Sequence, residues 1–319
     1  MEAASTRKFP RLNFGYSVII ALTAALFIIL SLSTRNFLSY ANIYSMLFGV
    51  SIQFFAIIGF TYLMIMGEID LSVGSMYGFG GAFLGYCLHI YKISFIPSLA
   101  LTLVVAAGIG LAIGLVVTCL RVNSMMVTLG AMMAIQGVAW ILINSYSSRS
   151  FGRAASRFIK YRVLDINWTV IALIAVVIAL EIMLHTTSLF KKMFYIGQQR
   201  FSSTIYGIRA DRIKICTFAL ASLGAAFGGV LTTCRLGNAH VSTGDGLEFT
   251  MVTAAVLGGA SLFGGRGTIL ASVTGLFFLT MMQNGMTAFS VMPFTQKIIQ
   301  GAILICAVML DMWVTRKRR

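Results

Sequence analysis

Long apolar runs alternate with short polar or glycine-rich stretches along the whole chain. A helix that crosses a bilayer needs about 20 mainly apolar residues. Ten runs come near or exceed that length, and the eighth is short enough to be a broken helix. They cover residues 15–33, 43–66, 73–91, 94–120, 125–144, 166–184, 213–234, 249–264, 268–287 and 294–314. The pattern predicts an all-α polytopic membrane protein with about ten transmembrane helices.

Composition strengthens this interpretation and excludes a soluble protein. Apolar residues make up 58% of the 319 positions, and charged residues only 10%. A soluble domain carries about 25% charged residues, so this chain has too little polar surface to cover a globule in water. The first apolar run follows a basic start, as a secretion signal does, but it is too long and lacks a small-x-small cleavage site. We therefore expect it to remain as the first span.

The distribution of charge predicts the orientation in the membrane. The chain has 24 basic and 9 acidic residues. In a membrane protein the basic residues collect in cytoplasmic loops, an explanation that fits better than nucleic-acid binding. With both termini in the cytoplasm, 15 bases lie inside and 9 outside, and five of the outer bases fall in the single loop 145–165. The opposite orientation would invert this majority.

The chain offers no place for catalysis or for a bound cofactor. No stretch between spans exceeds about thirty residues, which is too short for a nucleotide-binding domain. The nearest phosphate-loop lookalike, Gly259 to Gly264, is followed by Gly265 and Arg266 instead of Lys and Ser or Thr. Cysteines and histidines are scattered singly, without metal-ligand spacing. We expect a single transmembrane domain over residues 1–319 that is not an enzyme and binds no metal.

Two glycine-rich junctions interrupt the apolar runs, at residues 67–74 and 258–267. Both combine flexible backbone with polar groups. At membrane depth such backbone is tolerated only inside the protein or beside a water-filled cavity. The junctions are therefore expected to lie in the interior of the fold.

The residues at these junctions resemble a known family. The stretch Gly-Glu-Ile-Asp-Leu-Ser-Val-Gly-Ser at 67–75 looks like the signature of the ribose-type sugar permeases of bacterial ATP-binding-cassette (ABC) importers. The stretch at 256–269 is similar to the family's second signature. Gln-Asn-Gly at 283–285 and Gln-Lys-Ile-Ile-Gln-Gly at 296–301 follow, as they do in the family. The resemblance runs from about residue 36 to residue 312.

The resemblance implies an integral subunit of the bacterial inner membrane that forms the path for a monosaccharide or a related polyol. Such a subunit pairs with a second copy or a paralogue. Separate cytoplasmic ATPase subunits bind ATP and Mg, and a periplasmic binding protein delivers the cargo. Two alternatives are a permease for branched-chain amino acids or nucleosides and a stand-alone ion-driven secondary transporter.

The cytoplasmic segment 186–213 fits the role of the loop that couples to the ATPase. It is long and basic, and a short helix within it could seat in a groove of the ATPase. A solvated basic loop is the alternative. The family usually has Asn-Glu where this chain has Gln199 and Arg200, which places a base at the position of an acid. The residues assigned to coupling are Gly197, Gln199, Arg200, Gly207, Ile208 and Asp211.

Glu68 and Asp70 are the most informative acids, because ionisable residues in or beside membrane spans are costly and usually functional. They could accept hydrogen bonds from sugar hydroxyls. Asp70 could instead cap the helix that follows. Side-chain amides in or near the spans could also contact hydroxyls, or they could bridge helices. The candidate path residues are Glu68, Asp70, Ser72, Gln53, Gln283 and Asn284.

The outer loop 145–165 carries a basic face. Arg149, Arg153 and Arg157 are spaced for one side of a helix, Lys160 and Arg162 extend the patch, and two phenylalanines add apolar contact. This face could receive acidic residues of the periplasmic binding protein, which would speed encounter and fix orientation. Attraction to anionic lipid headgroups is the competing interpretation.

Overall fold

The computed structural model describes residues 14–146, 150–198, 209–240 and 242–316, and these ranges are almost entirely helical. The helices are α1 (Phe14–Ser33), α2 (Tyr40–Ile65), α3 (Val73–His89), α4 (Phe95–Cys119), α5 (Ser124–Tyr146), α6 (Gly152–Lys160), α7 (Trp168–Thr186), α8 (Ser188–Gln198), α9 (Ala210–Leu236), α10 (Leu247–Leu257), α11 (Ile269–Ala288) and α12 (Pro293–Arg316). Two short strands, β1 (Arg162–Val163) and β2 (Ile166–Asn167), pair as an antiparallel hairpin after α6.

Each of the ten predicted runs contains one helix, and the ends agree to within a few residues except in the eighth run. That run is helical only as far as Leu257, because the glycine-rich turns that follow break the helix. Seven helices in the described ranges are long and apolar enough to cross a membrane: α1, α2, α4, α5, α9, α11 and α12. The architecture is that of a polytopic helical membrane protein, as predicted.

The two helices that lie outside the ten predicted runs, α6 and α8, are short and amphipathic. In α8, Phe190, Met193 and Ile196 are buried, whereas Lys191 and Lys192 are exposed. This spacing of three residues places the apolar side chains on one face of the helix. Helix α8 therefore lies against the bundle and does not cross it.

Helix α2 is the central helix of the bundle. Most of its side chains from Val50 to Ile65 are buried, including Phe54, Phe60 and Tyr62. Helices α3, α7, α8, α9, α10 and α11 all contact it. Because the buried part of α2 extends from Val50 to its C-terminal end at Ile65, it can transmit a displacement at that end into the bundle.

Close packing in and around α2 depends on small residues. A Cβ on Gly59 would collide with the backbone of Ala221, and a Cβ on Gly229 with the carbonyl group of Tyr77. Apolar burial gives no driving force between helices in lipid, so close backbone approach matters more there than in water. Gly59 and Gly229 therefore allow direct contact between the backbones of neighbouring helices.

Candidate functional site

The two glycine-rich junctions meet at the end of α2. The Gly265 N–H donates to the Ile65 carbonyl oxygen at 2.7 Å. Gly67 and Gly264 both have positive φ angles, +76° and +83°, which favour glycine. A Cβ on Gly264 would lie 2.8 Å from the Gly67 nitrogen and 2.9 Å from the Gly197 carbonyl oxygen. Glu68 and Asp70 of the first junction and Ser261 of the second are buried, whereas Gly67 and Phe263 are exposed, so the junctions lie only partly in the interior.

Helix α8 brings the predicted coupling segment to the same point. A Cβ on Gly197 would collide with the Ile65 carbonyl oxygen and lie 2.5 Å from the Gly265 nitrogen. The Gln198 side chain donates from Nε2 to the Gly265 carbonyl oxygen at 3.5 Å. We call Gly67, Gly197, Gly264 and Gly265 the glycine cluster. It joins the coupling segment to both junctions by backbone contact.

Most of the other predicted coupling residues lie outside the described residues: Gln199, Arg200, Gly207 and Ile208. Asp211 is described, and it is exposed in the first turn of α9. An acid in the first turn interacts favourably with the positive end of the helix dipole. Asp211 therefore has a structural role that is independent of any partner.

Hydroxyl groups of α5 satisfy the irregular backbone of the first junction. The Ile69 N–H donates to Ser124 Oγ at 3.3 Å, and the Leu71 N–H donates to Thr128 Oγ1 at 3.1 Å. Thr128 also donates to the Ile69 carbonyl oxygen at 3.3 Å. Buried backbone groups outside regular structure need such partners. These contacts fix the junction against α5.

Asp70 is fully buried and lies at the start of α3. Its Oδ1 accepts hydrogen bonds from the Ser72 N–H at 2.8 Å and from the Ser72 hydroxyl at 2.6 Å. This is an Asx turn ahead of α3: the N-cap position is Ser72, and Asp70 bonds no N–H group of the helix itself. Its Oδ2 has no hydrogen-bond partner in the described part of the chain. Burial raises the pKa of the Asp70 carboxyl, while the two Ser72 hydrogen bonds lower it.

Glu68 is also buried, and it forms an ion pair with Lys214 of α9. The Lys214 Nζ lies 2.5 Å from Glu68 Oε1, and the two side chains are 5% and 3% exposed. In the sequence, Lys214 directly follows the basic segment 186–213, and nothing there marks it as buried. The structure corrects this: Lys214 neutralises an acid of the first junction. The pair ties that junction to the first turns of α9.

The other candidate path residues lie elsewhere. Gln53 is half-buried near the middle of α2, and Gln283 is half-buried near the end of α11. Asn284 donates from Nδ2 to Asn42 Oδ1 at 2.7 Å, and Asn42 donates back to Asn284 Oδ1 at 3.2 Å. This reciprocal pair bridges α2 and α11. The six candidates therefore do not converge on one site.

A polar pocket that the sequence analysis did not identify lies beside the middle of α5. The cavity measures about 160 Å³, and its polar lining comes from Ser75, Gln136, Asp245 and Glu248. The Gln136 Nε2 donates to Asp245 Oδ1 at 3.1 Å. The sequence feature that could have indicated this pocket is the polar stretch 242–246 between two apolar runs. In the structure, Gly244 and Gly246 of this stretch have positive φ angles.

The basic outer loop forms the amphipathic helix α6. Ala155 and Ile159 are buried, while Arg153, Arg157 and Lys160 are exposed. Arg149 lies outside the described residues. Phe151 was expected to offer apolar contact to a partner, but it is only 6% exposed. It packs beside the His89 ring, with the ring centroids 6.1 Å apart, and is unavailable for docking.

The hairpin after α6 touches the N-terminal end of α2. The Arg162 guanidinium lies 5.7 Å from the centroid of the Tyr44 ring, and the Arg235 guanidinium lies 4.6 Å from that of Phe48. Such cation–π contacts contribute about 0.5–1 kcal/mol at exposed sites. Helix α2 thus contacts Arg162 of the basic hairpin at its N-terminal end and the glycine cluster at its C-terminal end.

The chain is similar to known proteins over most of its length. The family model described as "Branched-chain amino acid transport system / permease component" matches residues 51–308. The ribose import permease RbsC of Escherichia coli K12 is 30% identical over 297 residues, covering 92% of each chain. The L-arabinose permease AraH of Azospirillum brasilense is 30% identical over 308 residues, covering 95% of this chain and 89% of the relative. No solved structure matches the chain. The chain therefore belongs to this family of transport-system permease components.

Proposed function

We propose that this chain forms the translocation path of an ABC importer for a monosaccharide or a related polyol. The name of the family mentions branched-chain amino acids, but the relatives that align over nearly the whole chain are named for ribose and L-arabinose. In the proposed complex the permease pairs with a second copy or a paralogue in the inner membrane. Separate ATPase subunits bind ATP and Mg, and a periplasmic binding protein delivers the sugar.

The proposed topology has ten spans with both termini in the cytoplasm. Besides the seven long helices, α3, α7 and α10 would complete the count. Helix α10 has 11 residues and is about 16 Å long at 1.5 Å per residue, which is roughly half of a bilayer core. The non-helical segment 242–246 precedes it, and its backbone packs on Gly74 and Gly78 of α3. Irregular backbone enclosed by protein is compatible with membrane depth.

The observation that carries the mechanism is the glycine cluster. It places the coupling segment in backbone contact with α2 and with both signature junctions. A displacement of α8 by the ATPase would be transmitted to α2, because closely packed backbones have low compressibility and cannot absorb the motion. The Glu68–Lys214 pair would carry the same displacement from α9 to the first junction.

The polar pocket would supply contacts for the cargo along the path. Carboxylate oxygens accept hydrogen bonds from sugar hydroxyls, and the amide of Gln136 can both donate and accept. The pocket lies against α5, whose side chains away from α3 are largely exposed in the single chain. If the path lies between two permeases, the exposed side of α5 in one permease would face the same side of α5 in the other.

Reconstitution of the permease with its ATPase and binding protein in liposomes tests the proposal. We expect ATP-dependent uptake of a labelled pentose or hexose, with none when the binding protein is omitted. Uptake of leucine in preference to the sugars would favour the amino-acid alternative. Uptake by the permease alone, driven by an ion gradient, would overturn the proposal in favour of a secondary transporter.

We further propose that the exposed bases Arg153, Lys160 and Arg162 receive acidic residues of the binding protein. Changing Arg153→Glu together with Lys160→Glu is expected to raise the half-saturating concentration of binding protein about tenfold, which corresponds to about 1.4 kcal/mol. The effect should weaken at high salt, because exposed charges are screened. The measurement is the uptake rate as a function of binding-protein concentration. Lys92→Glu, on another outer loop, is the matched control; equal half-saturation in all three proteins would contradict the docking proposal.

A further inference from the structure

An apolar groove lies on the outer side of the protein, between α4, α6 and α7. It has a volume of about 780 Å³ and is lined mainly by Phe95, Leu99, Phe158, Trp168 and Phe227. Phe227 lies nine residues before the end of α9, or about 14 Å along the helix at 1.5 Å per residue. The groove therefore extends from the outer surface well into the depth of the bundle.

Aromatic rings form a continuous wall of this groove. The ring centroids of Phe95 and Phe158 are 5.2 Å apart, those of Phe158 and Trp168 are 5.2 Å apart, and those of Trp168 and Phe227 are 6.4 Å apart. The Trp168 Nε1 donates to the Phe158 carbonyl oxygen at 2.9 Å. The polar atom of that ring is thus satisfied within the protein, so the ring offers the groove an apolar surface.

One base belongs to the groove. Arg157 lines it and is exposed, whereas Arg153, one turn earlier on α6, does not line it. Arg157 forms no ion pair with any residue in the ranges that the structure describes. A ligand with an apolar tail and an anionic head would match both the wall and this guanidinium.

The charge of the chain favours a lipid over a second copy of the permease as the occupant. The loop next to the groove, 150–167, holds four bases and a single acid, Asp165. A second copy would bring mainly like charge to Arg157, whereas a phospholipid brings a phosphate. Guanidinium groups bind phosphate through paired hydrogen bonds, and Trp and Tyr side chains are enriched where the membrane meets water.

We propose that this groove is a specific phospholipid site of the outer leaflet, with an acyl chain along the aromatic wall and the phosphate at Arg157. The site is separate from the proposed cargo path. It also differs from the docking surface, since Arg153 and Lys160 do not line the groove.

Native mass spectrometry of the delipidated full-length protein in mild detergent tests this site. The probes are dioleoyl phosphatidylglycerol and dioleoylglycerol, which share their tails and differ by the phosphate headgroup. We expect one phosphatidylglycerol to be retained per chain with at least tenfold preference over dioleoylglycerol. Arg157→Ala should weaken that binding about tenfold, and so should Ala154→Trp, which fills the groove from its lining. Arg153→Ala, which removes the same charge one turn away, should stay within twofold of the parent.

Three results would overturn the proposal, and none of them requires transport. Equal retention of the two probes would show that the site does not recognise the phosphate. Unchanged binding in both Arg157→Ala and Ala154→Trp would place the retained lipid elsewhere. Conversion of a dimeric permease into a monomer by Ala154→Trp, with lipid binding unchanged, would identify a second copy as the occupant.

Discussion

Replacing Lys214 with methionine is expected to destabilise the protein by about 3–5 kcal/mol, because it removes the positive charge that pairs with the Glu68 carboxylate in the interior. Methionine preserves most of the volume of the lysine side chain, so the loss reports the charge and not a cavity. The measurement is thermal unfolding of the purified permease in detergent, together with ATP-driven uptake in liposomes. Both should fall sharply.

The double variant Glu68→Gln with Lys214→Met separates stability from function. Removing both charges of a buried pair is often nearly neutral for stability, so we expect the double variant to recover most of the lost thermal stability. If the pair transmits motion from α9 to the first junction, uptake should remain low in the recovered protein. Full recovery of uptake would show that the pair only stabilises the fold.

Arg212→Met is the matched control for this experiment. Arg212 lies two residues before Lys214 on α9 and is exposed. Loss of an exposed charge usually changes stability by less than about 0.5 kcal/mol. An unfolding temperature for Lys214→Met equal to that of Arg212→Met would contradict the burial of the pair.

Changing Gly197→Ala is expected to abolish most of the ATP-driven uptake while the protein still inserts into the membrane. The added methyl group would collide with the Ile65 carbonyl oxygen and the Gly265 backbone, and backbone atoms cannot rotate away. Overpacking of this kind typically costs about 1–3 kcal/mol and shifts the backbone. We expect α8 to be displaced from the glycine cluster, so that ATP hydrolysis no longer moves α2.

The ATPase rate distinguishes this result from a folding defect. With Gly197→Ala, the assembled complex should still hydrolyse ATP, but the binding protein should no longer stimulate hydrolysis. The control is Gly108→Ala in α4, where an added Cβ has no atom within 4 Å. An alanine there should be neutral or should stabilise the helix by up to about 1 kcal/mol. Parental uptake by Gly197→Ala would exclude the glycine cluster from coupling.

Sequence reasoning located the helices because the length and polarity of a segment determine whether it can enter lipid. The ten apolar runs correspond to ten helices for this reason. The error in the eighth run has a local cause. Apolar residues continue past Leu257, but the glycines at positive φ bend the chain out of the helix.

The same reasoning identified many residues of the candidate site but not which residues they contact. Gly67, Gly197 and the junction at 258–267 were all identified from the sequence, and their convergence was not. The sequence suggested a local role for Asp70 at the start of α3, and its bonding partner, Ser72, is only two residues away. Glu68 was left open because Lys214 is 146 residues away in the chain.

The sequence by itself determined the class of protein, its helices, its family and the place of the two glycine-rich junctions. The tertiary structure alone decided that Glu68 is paired, that Lys214 is buried, that Gln136 faces Asp245, and that Arg157 belongs to a groove. The physical reason is that helices in a membrane are apolar on nearly all sides, so their sequences mark poorly which face meets which neighbour. That choice is made by close contact between small residues of distant segments, and only the packed fold brings those segments together.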